Sequence, residues 1–355
     1  MAIELRNLSD GCKIEDSERF MSARINGQGY WCSFRIRDAF YRRCMDGSVV
    51  EGASAQPVSE QCSGTVHQAF QSWIDAIPCH NKTIEVSQGL NLENYKEIGS
   101  LYRSVYPEDV TILPPDRYGD IVIMPAIGCP NRQCTFCAFY KDKPYKVLKE
   151  DMIEQHLTAV KQLYGAKVLS SPGVFLGSAN AMALSQRRLM FCLELIKERL
   201  GSFNREVATF ADPDFSARRS EQNWVELREA GLRHVVVGLE TGWKVLRAKL
   251  GKSGDLSKCI AFIKGARSAG IGIGLTILTG AASGESREEN IKQTIMMINK
   301  LALSNKDIIY LSPLSKNENV GIEAIEEQRL IKERLDGMTE AKVVPYQMQR
   351  FRYFA

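Results

Sequence analysis

The chain has 355 residues and a mass of 39.8 kDa, which suits about two domains or one large barrel with an appendage. Hydrophobic residues make up 44% and charged residues 25%, values that exclude wholesale disorder, a collagen-like repeat and a coiled coil. The formal net charge of +4, from 46 basic and 42 acidic residues, is too small to imply a nucleic-acid or membrane partner by itself.

In chain order, residues 1–95 read as an N-terminal domain of unknown type, with irregular patterning and scattered Gly and Cys. Glu4, Arg6, Asp10, Lys13, Glu15, Asp16, Glu18 and Arg19 leave no apolar stretch at the start, so a secretory signal is not expected and a cytoplasmic location is. Arg24 to Phe34 has strand-like content around Tyr30 and Trp31, and Thr65 to Ile77 predicts a helix stopping before Pro78. Residues 96–118 form a Pro-containing connector with Pro107, Pro114 and Pro115.

Residues 119–315 settle into a rhythm. The runs Ile121–Met124, Val174–Leu176, Val207–Phe210, Val235–Gly238, Ile271–Leu278 and Ile308–Leu311 alternate with segments whose apolar residues recur at helical spacing, such as Ile153, Leu157 and Val160. Gly165, Gly201, Gly231 and Gly270 stand where helices end before the next strand. Ser286 and Glu289 have capping-box spacing for the fifth helix. Such alternation predicts a parallel sheet with right-handed crossovers; spacing alone leaves an open sheet and a barrel as alternatives. The run Ile271 to Ala282 is Gly-interrupted and too short to span a membrane. Residues 316–355 supply a C-terminal helix and tail, and Arg350-Phe-Arg-Tyr-Phe354 is expected to pack or to cover one end of the barrel.

The strongest chemical signal is Gly128-Cys-Pro-Asn-Arg-Gln-Cys-Thr-Phe-Cys137, directly after the first of these strands. Cys129, Cys134 and Cys137 are the only tight cluster among ten cysteines. Soft thiolates select iron–sulfur, zinc or copper(I). Three readings compete: a three-cysteine [4Fe–4S] site with one open iron, a two-iron ferredoxin site lacking its fourth cysteine, and a structural zinc completed by His156. Cys192 and His156, the fourth ligands on offer, sit within amphipathic helices, a poor position.

With Phe136 just before the last cysteine, this loop resembles that of the radical S-adenosylmethionine (radical SAM) superfamily, although its first gap is one residue longer than usual. The resemblance covers about residues 119–315. It continues through Leu227-Arg-Glu-Ala-Gly231, Val237-Gly-Leu-Glu-Thr-Gly242 and Leu250-Gly-Lys252, similar to the coproporphyrinogen dehydrogenase and methylthiotransferase branch. It implies an α/β fold: a partial (β/α)6 TIM-like barrel with an N-terminal α+β appendage and a short C-terminal segment. It also implies a [4Fe–4S] cluster on the three cysteines and S-adenosylmethionine (SAM) as cofactors, reductive SAM cleavage and hydrogen abstraction from a substrate.

Carried onto this sequence, the resemblance puts Gly177, Ser178 and Ala179 at the SAM ammonium through main-chain atoms and Glu240 at the ribose. Lys252 falls at the SAM carboxylate, and Thr276, Ile277 and Leu311 around the adenine. Asp212 is a candidate for orienting the substrate. Each also has a plainer reading as a turn, strand-end or core residue. The N-terminal cysteines Cys12, Cys32, Cys44, Cys62 and Cys79, with His67 and His80, lack paired spacing and read as buried apolar residues before an auxiliary cluster. A small-molecule substrate is favoured over tRNA or protein, and a flavodoxin- or ferredoxin-type donor is expected to supply electrons. The non-enzymatic alternative is an iron–sulfur electron-transfer or regulatory protein.

Overall fold

A computed structural model of the chain describes residues 3–54, 56–77, 92–165, 167–177, 179–201, 206–316, 319–348 and 351–354. Two compact units are present: Met1–Ile112 with His156–Ser171 and Arg350–Ala355, and Leu113–Gln155 with Pro172–Gln349.

The first unit holds a six-stranded antiparallel meander: β1 (Ile3–Leu8), β2 (Gly11–Asp16), β3 (Met21–Asn26), β4 (Trp31–Ile36), β5 (Ala39–Arg43) and β6 (Val49–Glu51). Two helices follow, α1 (Glu60–Asp75) and α2 (Leu92–Val105). The strand-like stretch 24–34 is two strands. Asn26 Oδ1 accepts from the amides of Gln28 and Tyr30 at 3.1 and 3.0 Å and turns the chain between them. Helix α1 begins five residues earlier than its apolar pattern suggests, because Ser59 Oγ caps it by accepting from the Cys62 amide. One core joins Ile14, Ile25, Trp31, Phe34, Phe70, Trp73 and Tyr95. His67 belongs to this packing: its Nδ1 accepts from Trp31 Nε1 at 3.0 Å and its ring stacks on Tyr95. Cys12 and Cys44 are buried, Cys32 and Cys62 half-buried, all unpaired; Cys79 and His80 lie outside the described residues. The aromatic tail packs in this unit, where Tyr353 O accepts from the Met45 amide at 2.8 Å and Phe354 bridges Cys44.

The second unit is an α/β layer around a seven-stranded sheet. Its elements begin with β7 (Ile121–Ile123) and the small β8 (Ala126–Ile127) and β9 (Lys146–Val147). Helix α3 (Glu150–Tyr164) and the short α4 (Lys167–Ser170) follow in the chain, but from His156 to Ser171 they belong to the first unit. Then come β10 (Gly173–Leu176), α5 (Gln186–Leu200), β11 (Glu206–Ala211), α6 (Glu221–Glu229), β12 (Leu232–Glu240), α7 (Lys244–Lys249), α8 (Ser257–Ser268), β13 (Gly272–Thr279) and α9 (Glu285–Leu301). The chain closes through β14 (Ile308–Pro313), β15 (Ser315–Lys316), β16 (Asn319–Val320), α10 (Ile322–Leu335) and β17 (Lys342–Pro345).

Sheet order is β17-β14-β13-β12-β11-β10-β7, every pair parallel. All six strands read from the sequence are present, and β17 adds a seventh. This is the partial (β/α) barrel of a TIM-like fold, with β7 and β17 as its two edges. The parallel strands are buried almost throughout, as strands covered on both faces must be. Three of the four expected helix-ending glycines, Gly165, Gly201 and Gly270, adopt φ between 51° and 78°. The Ser286 capping box does not form. Gly284, at φ 56°, opens α9 two residues sooner, no side chain caps it, and Glu289 accepts from Gln293 instead. No described helix is long and apolar enough to cross a membrane.

Candidate active site

The cysteine loop follows β7, at the carboxyl edge of the sheet, where barrels of this type build their chemistry. Gly128 has φ +70°, and a side chain there would press on the carbonyls of Lys143 and Pro144. The loop is pinned from within by Asn131. Its Nδ2 lies 3.3 Å from Cys134 Sγ and 3.2 Å from the Gly251 carbonyl, and its Oδ1 accepts from the Gln133 amide at 3.1 Å. Gly251 carries no Cβ because the Gln133 carbonyl occupies that space. The Thr135 amide donates to the Leu250 carbonyl at 3.1 Å. Phe136 packs against Leu246, Leu250, Leu278 and Ala282. The loop is thereby held to the segment carrying Lys252.

Burial raises the Cys129 thiol to about 11 and the Cys134 thiol to about 12. Neither is a nucleophile in that state; a bound metal would deprotonate them. Among the described residues, no three His, Cys, Asp or Glu side chains converge on one ion position. His156 Nδ1 lies 3.0 Å from the Val105 carbonyl. With His156 engaged at Val105, the three soft thiolates lack a fourth protein ligand there and suit an iron–sulfur cluster better than a closed zinc site.

Beside the loop lies a buried charge cluster. Lys252 Nζ is 3.2 Å from Asp212 Oδ2, 3.2 Å from Glu240 Oε1 and 3.1 Å from the Gly238 carbonyl. An ammonium has three donors, and all three are used, so the structure gives Lys252 other partners than the SAM carboxylate expected for it. Burial opposes its charge, but Glu240 and Asp212 outweigh burial and hold it above the ordinary lysine value. Burial likewise raises Glu240, against the pull of Lys252.

The backbone is shaped to make this pair. A bulge in the β12–β13 pairing leaves Leu239 without a partner, and Glu240 adopts φ 66°. A carboxylate residue in the left-handed region at a strand end has been re-aimed by its bulge. A Cβ on Gly238 would lie 2.6 Å from Glu240 Oε1 and 2.8 Å from Lys252 Nζ, so the glycine vacates the volume the pair fills.

Two residues invisible to the sequence reading complete the cluster. Arg247 is fully buried; its guanidinium bonds Asp214 Oδ2 at 2.9 Å, the Leu239 carbonyl at 3.2 Å and the Ser253 carbonyl. It ties the residue before Glu240 to the residue after Lys252. Its position in a Lys/Arg-rich helix had the look of a solvated face. Asn131 was equally hidden, its only sequence signal being a turn residue after proline.

The other expected residues scatter around this edge. The Gly177 amide donates to the Ile123 carbonyl at 2.9 Å, Ala179 is half-buried, and Ser178 lies outside the described residues. Asn180 Nδ2 reaches the Asp212 carbonyl at 3.2 Å, linking the loops after β10 and β11. Strand alternation separates the three adenine candidates. Thr276 pairs with Gly238 and shares its face with Gly274, whose missing Cβ would meet Tyr310 and His234. Ile277 shares its face with Thr279, whose Oγ1 bonds the Ala324 carbonyl of α10. Leu311, opposite Ile277 in register, shares that outer side. Only Thr276 presents its side chain inward; Ile277 and Leu311 offer main-chain atoms.

Residues 123–298 match the family model of the Radical SAM superfamily. Residues 123–298 are thus a domain of that superfamily, and the match supports a [4Fe–4S] cluster and SAM as cofactors. No curated protein matches it. Among solved structures it is similar to coproporphyrinogen III oxidase (HemN) from Escherichia coli, at 14% identity and TM-score 0.46, over 62% of this chain and 54% of that one. It is similar to the radical SAM methyltransferase TsrM from Kitasatospora setae, solved with tryptophan substrate and a SAM analog, at 17% identity and TM-score 0.41, over 54% and 36%. Methylornithine synthase (PylB) gives 15% and 0.44, over 64% and 70%. The chain thus spans 36% to 54% of the first two structures, and similarities this distant say nothing of its substrate.

Proposed function

We propose that Cys129, Cys134 and Cys137 hold the [4Fe–4S] cluster through three irons, and that the enzyme abstracts hydrogen from a small-molecule substrate at the carboxyl edge of the barrel. When bound, the cluster and SAM supply one-electron cleavage of a carbon–sulfur bond, giving methionine and a 5′-deoxyadenosyl radical. The protein supplies orientation and exclusion of water. Asn131 holds the Cys134 sulfur and, as a hydrogen-bond donor to it, tunes the cluster's potential. Glu240 accepts the ribose hydroxyls, with Lys252 and Asp212 fixing its charge and aim. The Gly177–Ala179 main chain takes the SAM ammonium, and Thr276 with the backbone of Ile277 and Leu311 lines the adenine. Arg247 positions both Leu239 and Ser253 behind this set.

The observation that carries the reading is the lodging of the one tight cysteine triplet, through Asn131 and Gly251, beside the largely buried Lys252–Glu240–Asp212 side chains. A small-molecule substrate is supported by the first unit. Its sheet turns Trp31 and Phe34 into the core and α2 adds Tyr95, which leaves those rings unavailable for stacking RNA bases. All described cysteines are free thiols, as suits the reducing cytoplasm.

The test is anaerobic reconstitution with iron, sulfide, SAM and a strong reductant. The wild type should carry about four irons, show a SAM-dependent change in the cluster's paramagnetic resonance signal, and form 5′-deoxyadenosine. Cys134→Ala should lose all three. Zinc in the purified protein, or a cluster indifferent to SAM, would overturn the proposal.

A further inference from the structure

The cysteine loop and the strand pair behind it carry all of the chain's excess charge. Residues 129–149 contain Arg132, Lys141, Lys143, Lys146 and Lys149 against Asp142 alone, four positive charges net. The whole chain carries +4, so everything outside these 21 residues balances to zero.

These cations are not absorbed by the fold. Arg132, Lys141, Lys146 and Lys149 are exposed and Lys143 half-buried. None of the five forms an ion pair among the described residues; by contrast, Glu150, which opens α3, is 2.9 Å from Arg187. Like charges on one short segment repel one another, and of the five only Lys143 is taken up by packing, its Nζ 5.6 Å from the centre of the Tyr140 ring. Two of the lysines sit on the cysteine loop itself. Lys141 Nζ lies 3.5 Å from the carbonyl of Thr135, between Cys134 and Cys137, and the Lys143 carbonyl accepts from the Cys129 amide at 3.3 Å. In the same segment Thr135 and Ala138 are exposed, Phe139 is half-buried and Val147 of β9 is 39% exposed. Exposed apolar residues interspersed with charged ones suit a transient protein interface.

We propose that this collar is the docking surface for an acidic one-electron carrier protein. The inference rests on the cluster reading above. Electron tunnelling weakens steeply with distance, so a carrier must dock close to the cysteine loop, where Cys129 and Cys137 are half-buried and Lys141 and Lys143 touch the loop backbone. One electron leaves the reduced carrier and enters the cluster; no bond or proton moves with it. Opposite charge steers the encounter and sets the association rate more than the final affinity. RNA is the competing polyanion. It is disfavoured because the segment's rings, Phe136, Phe139, Tyr140 and Tyr145, are all buried or half-buried, where base stacking needs a row of exposed ones.

The test compares the anaerobically reconstituted wild type with Lys141→Glu/Lys146→Glu/Lys149→Glu and with the charge-preserving triple Lys→Arg variant. Binding of purified flavodoxin is followed by surface plasmon resonance from 20 to 300 mM salt. The wild type should bind with an association rate that falls at least tenfold over that range. The reversal variant should lose at least tenfold at low salt, and the Arg variant should keep the wild-type rate. Iron content, SAM binding and dithionite-driven 5′-deoxyadenosine should match wild type in all three, because dithionite needs no docking site. Flavodoxin binding that is absent, or unchanged by charge reversal, would overturn the proposal. So would a wild type that binds tRNA in place of flavodoxin and loses it on reversal. Loss of iron from the wild type would instead overturn the cluster reading, while carrier binding is scored separately.

Discussion

At the carboxyl edge of the barrel, Glu240 and Asp212 each stand 3.2 Å from Lys252 Nζ, and Asp214 stands 2.9 Å from Arg247. At the amino edge, Arg117 is shared among Asp116 at 3.2 Å, Glu206 at 3.2 Å and Asp120 at 3.8 Å. The upper cluster has two buried cations for three carboxylates; the lower has one cation for three. Asp120, with a fully buried carboxyl, is consequently raised to about 7, first by burial and then by Asp116 and Glu206, against the pull of Arg117. The difference separates two uses of buried charge. In the upper set every carboxylate has a cation within 3.2 Å, and the set is aimed by a bulge, as a preorganised site requires. The lower set closes the end of the sheet that reads as stability rather than chemistry.

Removing one partner from each edge should expose the contrast. Lys252→Met leaves Glu240 and Asp212 buried with no facing cation, and should destabilise the chain by about 3–5 kcal/mol. Urea denaturation measures it, and a loss below about 1 kcal/mol would show that the carboxylates simply take up protons. Gly238→Ala is the gentler form of the same break. The atoms it displaces are the tips of Glu240 and Lys252, so the backbone need not move and the cost should be about 1–2 kcal/mol, in the lower part of the overpacking range. Its larger effect should fall on SAM, with affinity down about tenfold at unchanged iron content; equilibrium dialysis giving wild-type affinity would argue that the pair does not touch the nucleotide.

The same contrast runs between what the sequence shows and what it hides. The barrel strands were legible because parallel strands buried on both faces are continuous apolar runs, as Ile271 to Leu278 is. The first unit's strands were not. In β2, Cys12, Ile14 and Asp16 face the core and Lys13 and Glu15 face out, but an inward acid spoils the alternation. Only the fold explains it, by bringing Trp73 Nε1 to 3.1 Å from Asp16. In the site, the three cysteines are legible because their spacing is local. Arg247 and Asn131 act on residues brought near by the chain's return, 120 positions away for Asn131 and Gly251. The left-handed turn at Glu240 has no signature in its residue type. Thr276, Ile277 and Leu311 were legible as strand residues, but which of them faces inward depends on register.

The smallest expected effect sharpens the comparison most, because it has a sign. Asp120 holds its proton in the folded chain up to about pH 7, whereas an unfolded carboxyl releases it near its ordinary value of about 3.9. Between those limits the folded state binds the extra proton, so this group's contribution to stability falls as pH rises and levels off above about 7. Asn in its place stays neutral throughout. Asp120→Asn should therefore gain on the wild type steadily from about pH 4 to 7, with the difference constant above that window. Subtracting paired urea titrations cancels every other ionising group shared by the two proteins. At the upper edge the sign reverses for the matched cation: Lys252, held above the ordinary lysine value, contributes stability throughout the neutral range and loses it only in strong alkali. Parallel stability curves for wild type and Asp120→Asn would mean that Arg117 fully offsets the burial of Asp120, and the lower set would no longer stand apart as an under-compensated one.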